Sequence, residues 1–360
     1  MQSASAEAPA AAELIRQLGA GSYVKRQQAQ RMLEQMGVPA KEALQAALDN
    51  PDAEIRYRAA EALEHVLDLD FQQKLETFLS SSGECSDDCL PGWQRFREQV
   101  GRSHAARRLF VEMQRAEREL LQAAQAQPAA AGELLELRCQ QIQHEMQSAD
   151  ADDEQPLGVG SIAALLFVAG KRDVEISTQG ASFVNNFSNQ PSLHSALSAG
   201  TLIEPLRGLL SVWVSRHFED TMVAYQNLQL AMRYDLKTAI KPAAELASRK
   251  EIPAQQRPFA ILALGKLGDE RQVPALSSLL EDKAEFTVHG RDGEEIRTQI
   301  RDVALAVMVY LTGQELRDYG FDHYVSHPTW LFNPATLGFK SVEAREEALM
   351  KWRKWAGEKE

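Results

Sequence analysis

Ala263-Leu264-Gly265-Lys266-Leu267-Gly268-Asp269-Glu270-Arg271-Gln272-Val273-Pro274-Ala275-Leu276 is the stretch on which the fold turns. It predicts a helix that ends at Gly268, a short polar turn, and a second helix that carries Val273, Leu276, Leu279 and Leu280 on one face. Two antiparallel helices joined by so few residues form one unit of a solenoid. Such a unit cannot bury its apolar face alone and must stack on neighbours.

The neighbours are visible as a spaced pattern. An Arg, an Ala three positions on and a large apolar residue four further on recur as Arg257/Ala260/Leu264, Arg301/Ala304/Met308 and Arg345/Ala348/Trp352, each 44 residues after the last. The same pattern opens the chain as Arg26/Ala29/Leu33 and Arg56/Ala59/Leu63, 30 residues apart; Arg102/Ala105/Leu109 is off register. The second and third members share a helix face, where the small residue admits a neighbouring helix and the large one fills the seam. The Arg falls at the helix start, within reach of an adjacent turn. Asn50-Pro51-Asp52-Ala53-Glu54-Ile55-Arg56 adds a turn with an Asp available as N-cap, followed by the apolar series Ala59, Ala60, Leu63, Val66 and Leu67.

Leu264-Gly265-Lys266-Leu267-Gly268-Asp269 followed by Val273-Pro274-Ala275-Leu276 resembles the signature of HEAT and phycocyanobilin-lyase-type repeats. Glu13-Leu14-Ile15-Arg16-Gln17-Leu18-Gly19 through Arg56 is similar to the N-terminal pair of exported bacterial HEAT-repeat proteins. Leu90-Pro91-Gly92-Trp93-Gln94-Arg95-Phe96, Arg301-Asp302-Val303-Ala304-Leu305-Ala306 and Lys351-Trp352-Arg353-Lys354-Trp355 resemble further blocks of that family. The resemblance implies a fold and export, not a reaction. The expected fold is therefore all-α: a HEAT-like α-solenoid of stacked antiparallel helix pairs, with irregular loops and a hairpin insertion around Val288-His289-Gly290-Arg291-Asp292-Gly293.

The expected organisation is a disordered tail over 1–12, an N-terminal HEAT-like pair over 13–79, a Ser/Gly/Asp loop over 80–92, a helical connecting region over 93–148, an acidic linker over 149–156 and a C-terminal repeat domain over 157–360. Within the connecting region one long helix is expected from about Ser103, ended or interrupted by Pro128. The stretch from Ser177 to Ser195 reads as an irregular loop able to line a groove. Trp352 and Trp355 mark a final helix that seals the solenoid.

With 360 residues, 39 Lys and Arg against 51 Asp and Glu, and a net charge of −12, the averaged field repels phosphate backbones and anionic lipid. The longest uncharged apolar run, Leu157 to Gly170, falls short of the roughly 20 residues a membrane helix needs. Neither nucleic acid nor membrane insertion is expected. The first ten residues hold small-residue spacings like those at signal-peptide cleavage sites, so the expected compartment is periplasmic or exported after signal removal, with a cytoplasmic location as the alternative. Cys85 and Cys89 are candidates for a short disulfide, the alternatives being free thiols or a metal site that would need two further ligands.

No nucleophile elbow, phosphate loop or dinucleotide fingerprint is present, and no residue is expected to be catalytic or to hold a cofactor. His323 and His327, four apart with Asp322 beside them, form a weak metal candidate; Tyr324 stands where a zinc protease has Glu. The expected function is a non-catalytic scaffold that presents a solenoid groove to a protein or peptide. The partner-binding candidates are Arg95, Arg97, Arg107 and Arg108, in a locally basic stretch, and Asn185, Asn186 and Phe187. Two alternatives stand beside it: an enzyme or metal-dependent module built on His289, Asp322, His323 and His327, and nucleic-acid binding through the arginines of 95–118.

Overall fold

The computed structural model describes residues 4–80, 90–148, 157–216, 218, 220–291 and 294–358. The chain divides into two compact units, Met1–Cys89 and Leu90–Glu360.

The first unit contains α1 (Ala4–Gln17), α2 (Tyr23–Met36), α3 (Lys41–Ala47) and α4 (Ala53–Ser80). Ala11, Leu14, Leu18, Ala29, Leu33, Leu44, Ala59 and Ala62 make one core. The small-then-large spacing read from the sequence thus lies at the helix seams. The expected disordered tail is helical from Ala4: the segment is rich in alanine, the strongest helix former, and Ala11 is fully buried at the seam. The pattern's arginines reach back to the preceding turn. Arg26 donates to the Ala20 carbonyl at 2.8 Å, and Arg56 to those of Asn50 and Pro51 at 2.7 and 3.0 Å.

The second unit continues with α5 (Trp93–Val100), α6 (His104–Ala116), α7 (Arg118–Ala126), α8 (Ala131–Ser148), α9 (Val159–Ala169), α10 (Thr178–Phe187), α11 (Pro191–Ser198) and α12 (Ile203–Val214). It is completed by α13 (Thr221–Tyr234), α14 (Ile240–Ser248), α15 (Arg257–Leu267), α16 (Val273–Ser277), β1 (Glu285–Arg291), β2 (Glu294–Gln299), α17 (Ile300–Leu311), β3 (Ser326–His327), β4 (Leu331–Phe332) and α18 (Val342–Gly357). The described residues are thus all-α apart from two antiparallel hairpins.

Three expectations change here. The stretch 93–148 is part of the second unit's core and not a connector: Phe96 lies 5.0 Å from Phe110 and 5.6 Å from Phe167, ring centre to ring centre. The long helix breaks at Glu117, well before Pro128; this residue leaves helical geometry (φ −137°, ψ 47°), and its carboxylate receives Arg138 at 2.8 and 3.1 Å. The stretch 177–195 folds into α10 and α11 instead of a loop. Ser177 caps α10 by accepting from the Gly180 N–H at 3.1 Å, and Ala181, Val184 and Phe187 supply its buried stripe. The acidic stretch 149–156, and Cys85 and Cys89 with their bridge, lie outside the described residues.

From α13 onward the pairs stack as the repeat requires. α13, α15 and α17 pack successively in one row, with α14 against α15 and α16 against α17. The arginines 44 residues apart tie the repeats together from inside. Arg257 is 2% exposed, donates twice to the Ala247 carbonyl at 3.1 and 2.9 Å and meets Asp282 at 2.7 Å. Arg301 holds Glu346 at 3.0 Å, and Arg345 holds Asp302 at 2.8 Å, joining α17 to α18. Trp352 is buried and packs against Tyr319 and Trp355 at the end of the chain. The hairpin expected around His289 is present as β1–β2, inserted between α16 and α17.

Candidate functional site

A face of amide and aromatic side chains crosses α10, α13, α15 and the β3–β4 hairpin. At roughly 100° per residue, Met222, Tyr225, Gln226, Gln229 and Arg233 project from one side of α13, and all five are half-buried or exposed. Toward α10, Gln226 accepts from the Asn185 amide at 3.1 Å and Arg233 donates to Asn189 at 2.5 Å. Toward α15, the Tyr225 ring stands 4.8 Å from Phe259 at 80°, and Phe259 stands 4.8 Å from Trp330 at 82°. His327 stacks on Trp330 at 4.9 Å. Burial raises the Tyr225 phenol above its usual range against a hydrogen bond with Gln229, so it stays a neutral hydroxyl at neutral pH.

The hairpin is held on α15 by the glycine of the repeat signature. A Cβ on Gly265 would stand 2.8 Å from the Leu331 side chain and 2.8 Å from that of Val307, so only glycine lets the hairpin lie in the seam of α15 and α17. Leu331 itself has φ +67°, a left-handed conformation that costs a leucine roughly 1–2 kcal/mol. Lys266 donates to the Pro328 carbonyl at 3.2 Å, and His327 Nδ1 accepts from the N–H groups of Thr329 and Trp330 at 3.2 and 3.1 Å. These bonds fix the turn that carries Trp330. Among the described residues, nothing accepts from the Trp330 indole N–H.

The candidates read from the sequence separate. Asn185 is 1% exposed and internal, with its oxygen accepting from the Trp213 indole N–H at 2.8 Å; it is a staple under the face and cannot touch a partner. Phe187 is fully buried, since it falls on the apolar stripe of α10. Asn186, between them, is exposed on the outward side of the helix. Of the arginines, Arg107 is buried, Arg97 half-buried, Arg95 holds Asp173 at 2.9 and 3.0 Å, and Arg108 donates to Thr201 at 3.2 Å. They do not share one open basic face, because a helix repeat of 3.6 turns Arg107 inward when Arg108 points out.

The metal candidate does not assemble among the described residues, where no group of three His, Cys, Asp or Glu side chains converges. His327 uses its Nδ1 lone pair on the turn, His323 is half-buried in the loop before β3, and Asp322 is exposed. The side chain of His289 lies outside the described residues. A groove of about 460 Å³ is lined by Glu175, Ser177, Thr178, Arg216 and Asp220, and several of these are engaged internally. Asp220 caps α13 through Met222 and Val223 and accepts from Thr178, and Arg216 donates to Ala169.

Residues 259–282 match the family model of the PBS lyase HEAT-like repeat. This chain carries a HEAT-like repeat. The match begins at Phe259 of the face and spans α15 and α16 as far as Asp282, the carboxylate that anchors Arg257. Most of what it covers is packing: Leu262, Leu264, Leu267 and Leu276 are buried. It therefore supports the solenoid and assigns no chemistry. No curated protein matches the chain. No described helix is long and apolar enough to cross a membrane.

Proposed function

We propose that the protein is a non-catalytic interaction scaffold whose second unit binds an extended protein segment across the α10–α13–α15–hairpin face. The observation that carries this reading is the half-exposed aromatic corner of Trp330, Tyr225, Phe259 and His327, where the Trp330 indole N–H has no acceptor among the described residues, continued by side-chain amides at Gln226, Gln229, Asn186 and Asn189. Rings supply rigid contact area at low entropic cost, and amides can donate to and accept from a peptide backbone that has no secondary structure of its own. The HEAT-like repeat supports the same reading, because stacked helix pairs expose a long surface whose shape is fixed by a continuous core. The buried ion pairs from Arg257 to Asp282 and from Arg345 to Asp302 are turned inward and hold repeats together.

The test is selection of a displayed random-peptide library on the immobilised chain, with a Tyr225→Ala/Trp330→Ala variant as control. Both rings are partly exposed, so a far-UV spectrum matching that of the parent chain is expected. Enrichment of peptides that bind the parent chain and lose at least about tenfold on the variant, the size expected for aromatic anchors, supports the proposal. Enrichment indifferent to the two substitutions moves the site elsewhere, and no enrichment at all refutes peptide binding.

A further inference from the structure

The elements that build the face have an unusual charge pattern. α10, α13, α15 and residues 323–333 contain no Asp or Glu, in a chain with 51 of them and a net charge of −12. Burial alone does not account for this, because α10 and α13 expose Gln179, Asn186, Met222 and Arg233. The face does carry cations. Arg257 is internal and paired with Asp282, but Arg233 and Lys266 are both exposed, and each is bonded only to neutral groups: Asn189 and the Pro328 carbonyl. The flanking carboxylates bound these elements: exposed Asp220 directly precedes α13 and is engaged as its N-cap, exposed Asp322 directly precedes residues 323–333, and Asp235 and Asp269 lie past the ends of α13 and α15, Asp269 being held by Arg271 at 2.6 Å.

Along α13 and α15 the backbone positions of the two cations lie further on than those of Tyr225 and Phe259, with the Lys266 amine at the Pro328 carbonyl of the hairpin. Tyr225 precedes Arg233 by eight residues on α13, about 12 Å along the axis, and Phe259 precedes Lys266 by seven on α15, about 10 Å. An extended chain advances about 3.3 Å per residue, so it covers that distance in roughly three to four residues. We infer that the partner is an acidic extended segment, with an aliphatic or proline anchor seated on Tyr225, Phe259 and Trp330 and carboxylates three to four residues along it meeting Arg233 and Lys266. This rests on the binding reading above and deepens it by naming the partner's chemistry. A chain whose averaged field repels acidic partners thereby keeps one surface where they are accepted, and like-charge repulsion elsewhere enforces the register.

Fluorescein-labelled synthetic peptides with a leucine–proline anchor test it. Three carry, at the spacing above, two glutamates, two glutamines or two lysines; a fourth carries the glutamates directly beside the anchor. Anisotropy with the full chain is expected to rank the spaced glutamate peptide first, by roughly fivefold over the glutamine peptide, a preference that fades as salt is raised. Arg233→Glu with Lys266→Glu, both at exposed positions, is expected to reverse the order and favour the lysine peptide, while Trp330→Ala weakens all four. If glutamate and glutamine peptides bind alike and both need Trp330, the acidic partner is wrong and the binding face stands. If the lysine peptide binds the parent chain best, the charge assignment is overturned. Failure of every peptide to bind refutes the face itself.

Discussion

Replacing Arg257 by Met keeps the length and apolar stem of the side chain and removes its guanidinium from the α14–α15 seam. Three hydrogen bonds are lost: two to the Ala247 carbonyl and one to Asp282 at 2.7 Å. Asp282 keeps only the Ala284 N–H at 3.0 Å, with 10% of its side chain exposed. Burial opposes ionisation of this carboxyl, and the Ala284 and Arg257 bonds together still hold it below the usual carboxylate range; Arg257→Met returns it toward or above that range. Breaking one side of a buried pair costs about 3–5 kcal/mol, because the surviving charge stays desolvated. For a unit of this size that lowers the melting midpoint by on the order of 10 °C, followed by far-UV circular dichroism. Adding Asp282→Asn removes the stranded charge, keeps an acceptor for Ala284, and is expected to restore at least about 2 kcal/mol in urea titrations. Arg271→Ala, at the exposed pair with Asp269, should leave the midpoint unchanged. A loss below about 1 kcal/mol for Arg257→Met, or a double variant as unstable as the sum of its parts, would show that the repeating arginine is not a tie between repeats.

Other substitutions separate frame from face. Burial pushes the Asp302 carboxyl up to about 6 despite Arg345, so the folded chain holds that proton more tightly than the unfolded one. Its contribution favours folding at acid pH and is lost as pH rises through about 6, a change on the order of 3 kcal/mol that Asp302→Asn should remove from the pH profile of thermal melts. Gly160→Ala should destabilise by about 2 kcal/mol or more in urea titrations, although alanine favours helix, because the added Cβ would stand 2.4 Å from the Glu112 carbonyl oxygen at the α6–α9 crossing. Asn185→Ala removes the acceptor that Asn185 offers the Trp213 indole N–H and should cost about 1–3 kcal/mol, whereas Asn186→Ala on the surface should cost under about 0.5 by the same measurement.

The solenoid was legible because its rule is local and repeated. An Arg at the helix start, Ala three on and a large residue four further are properties of one helix face, and Arg257, Arg301 and Arg345 keep their period in the sequence itself. What each Arg grips was not legible, since Asp282, Asp302 and Glu346 lie 25 to 45 positions away with no shared spacing. α10 was misread because Ser, Asn and Gln dominate the stretch 177–195 around it, while its buried stripe at Ala181, Val184 and Phe187 follows helical spacing and could have identified it. Asn185 and Asn186 show the limit of composition: adjacent and chemically identical, one is sealed against Trp213 and the other faces solvent. The face drew its residues from four separate elements, and one signal for it was present from the start, the absence of Asp and Glu from those elements.

Gly265 links the frame to the face. In the repeat signature it looks like a residue needed for helix against helix, and one of its near neighbours is indeed Val307 of α17. The other is Leu331, held at positive φ in a hairpin that the repeat does not require. The close approach lets that hairpin settle in the seam, which sets Trp330 against Phe259 and completes the aromatic corner. A solenoid of uniform pairs would offer only helix ridges. Seating a short hairpin at a glycine already demanded by packing adds the Trp330 side chain, on a turn fixed by His327, without disturbing the arginine ties beneath. Gly265 thus gives the hairpin a rigid place to sit, which is the condition an interaction surface must meet if its rings are to be ordered before the partner arrives.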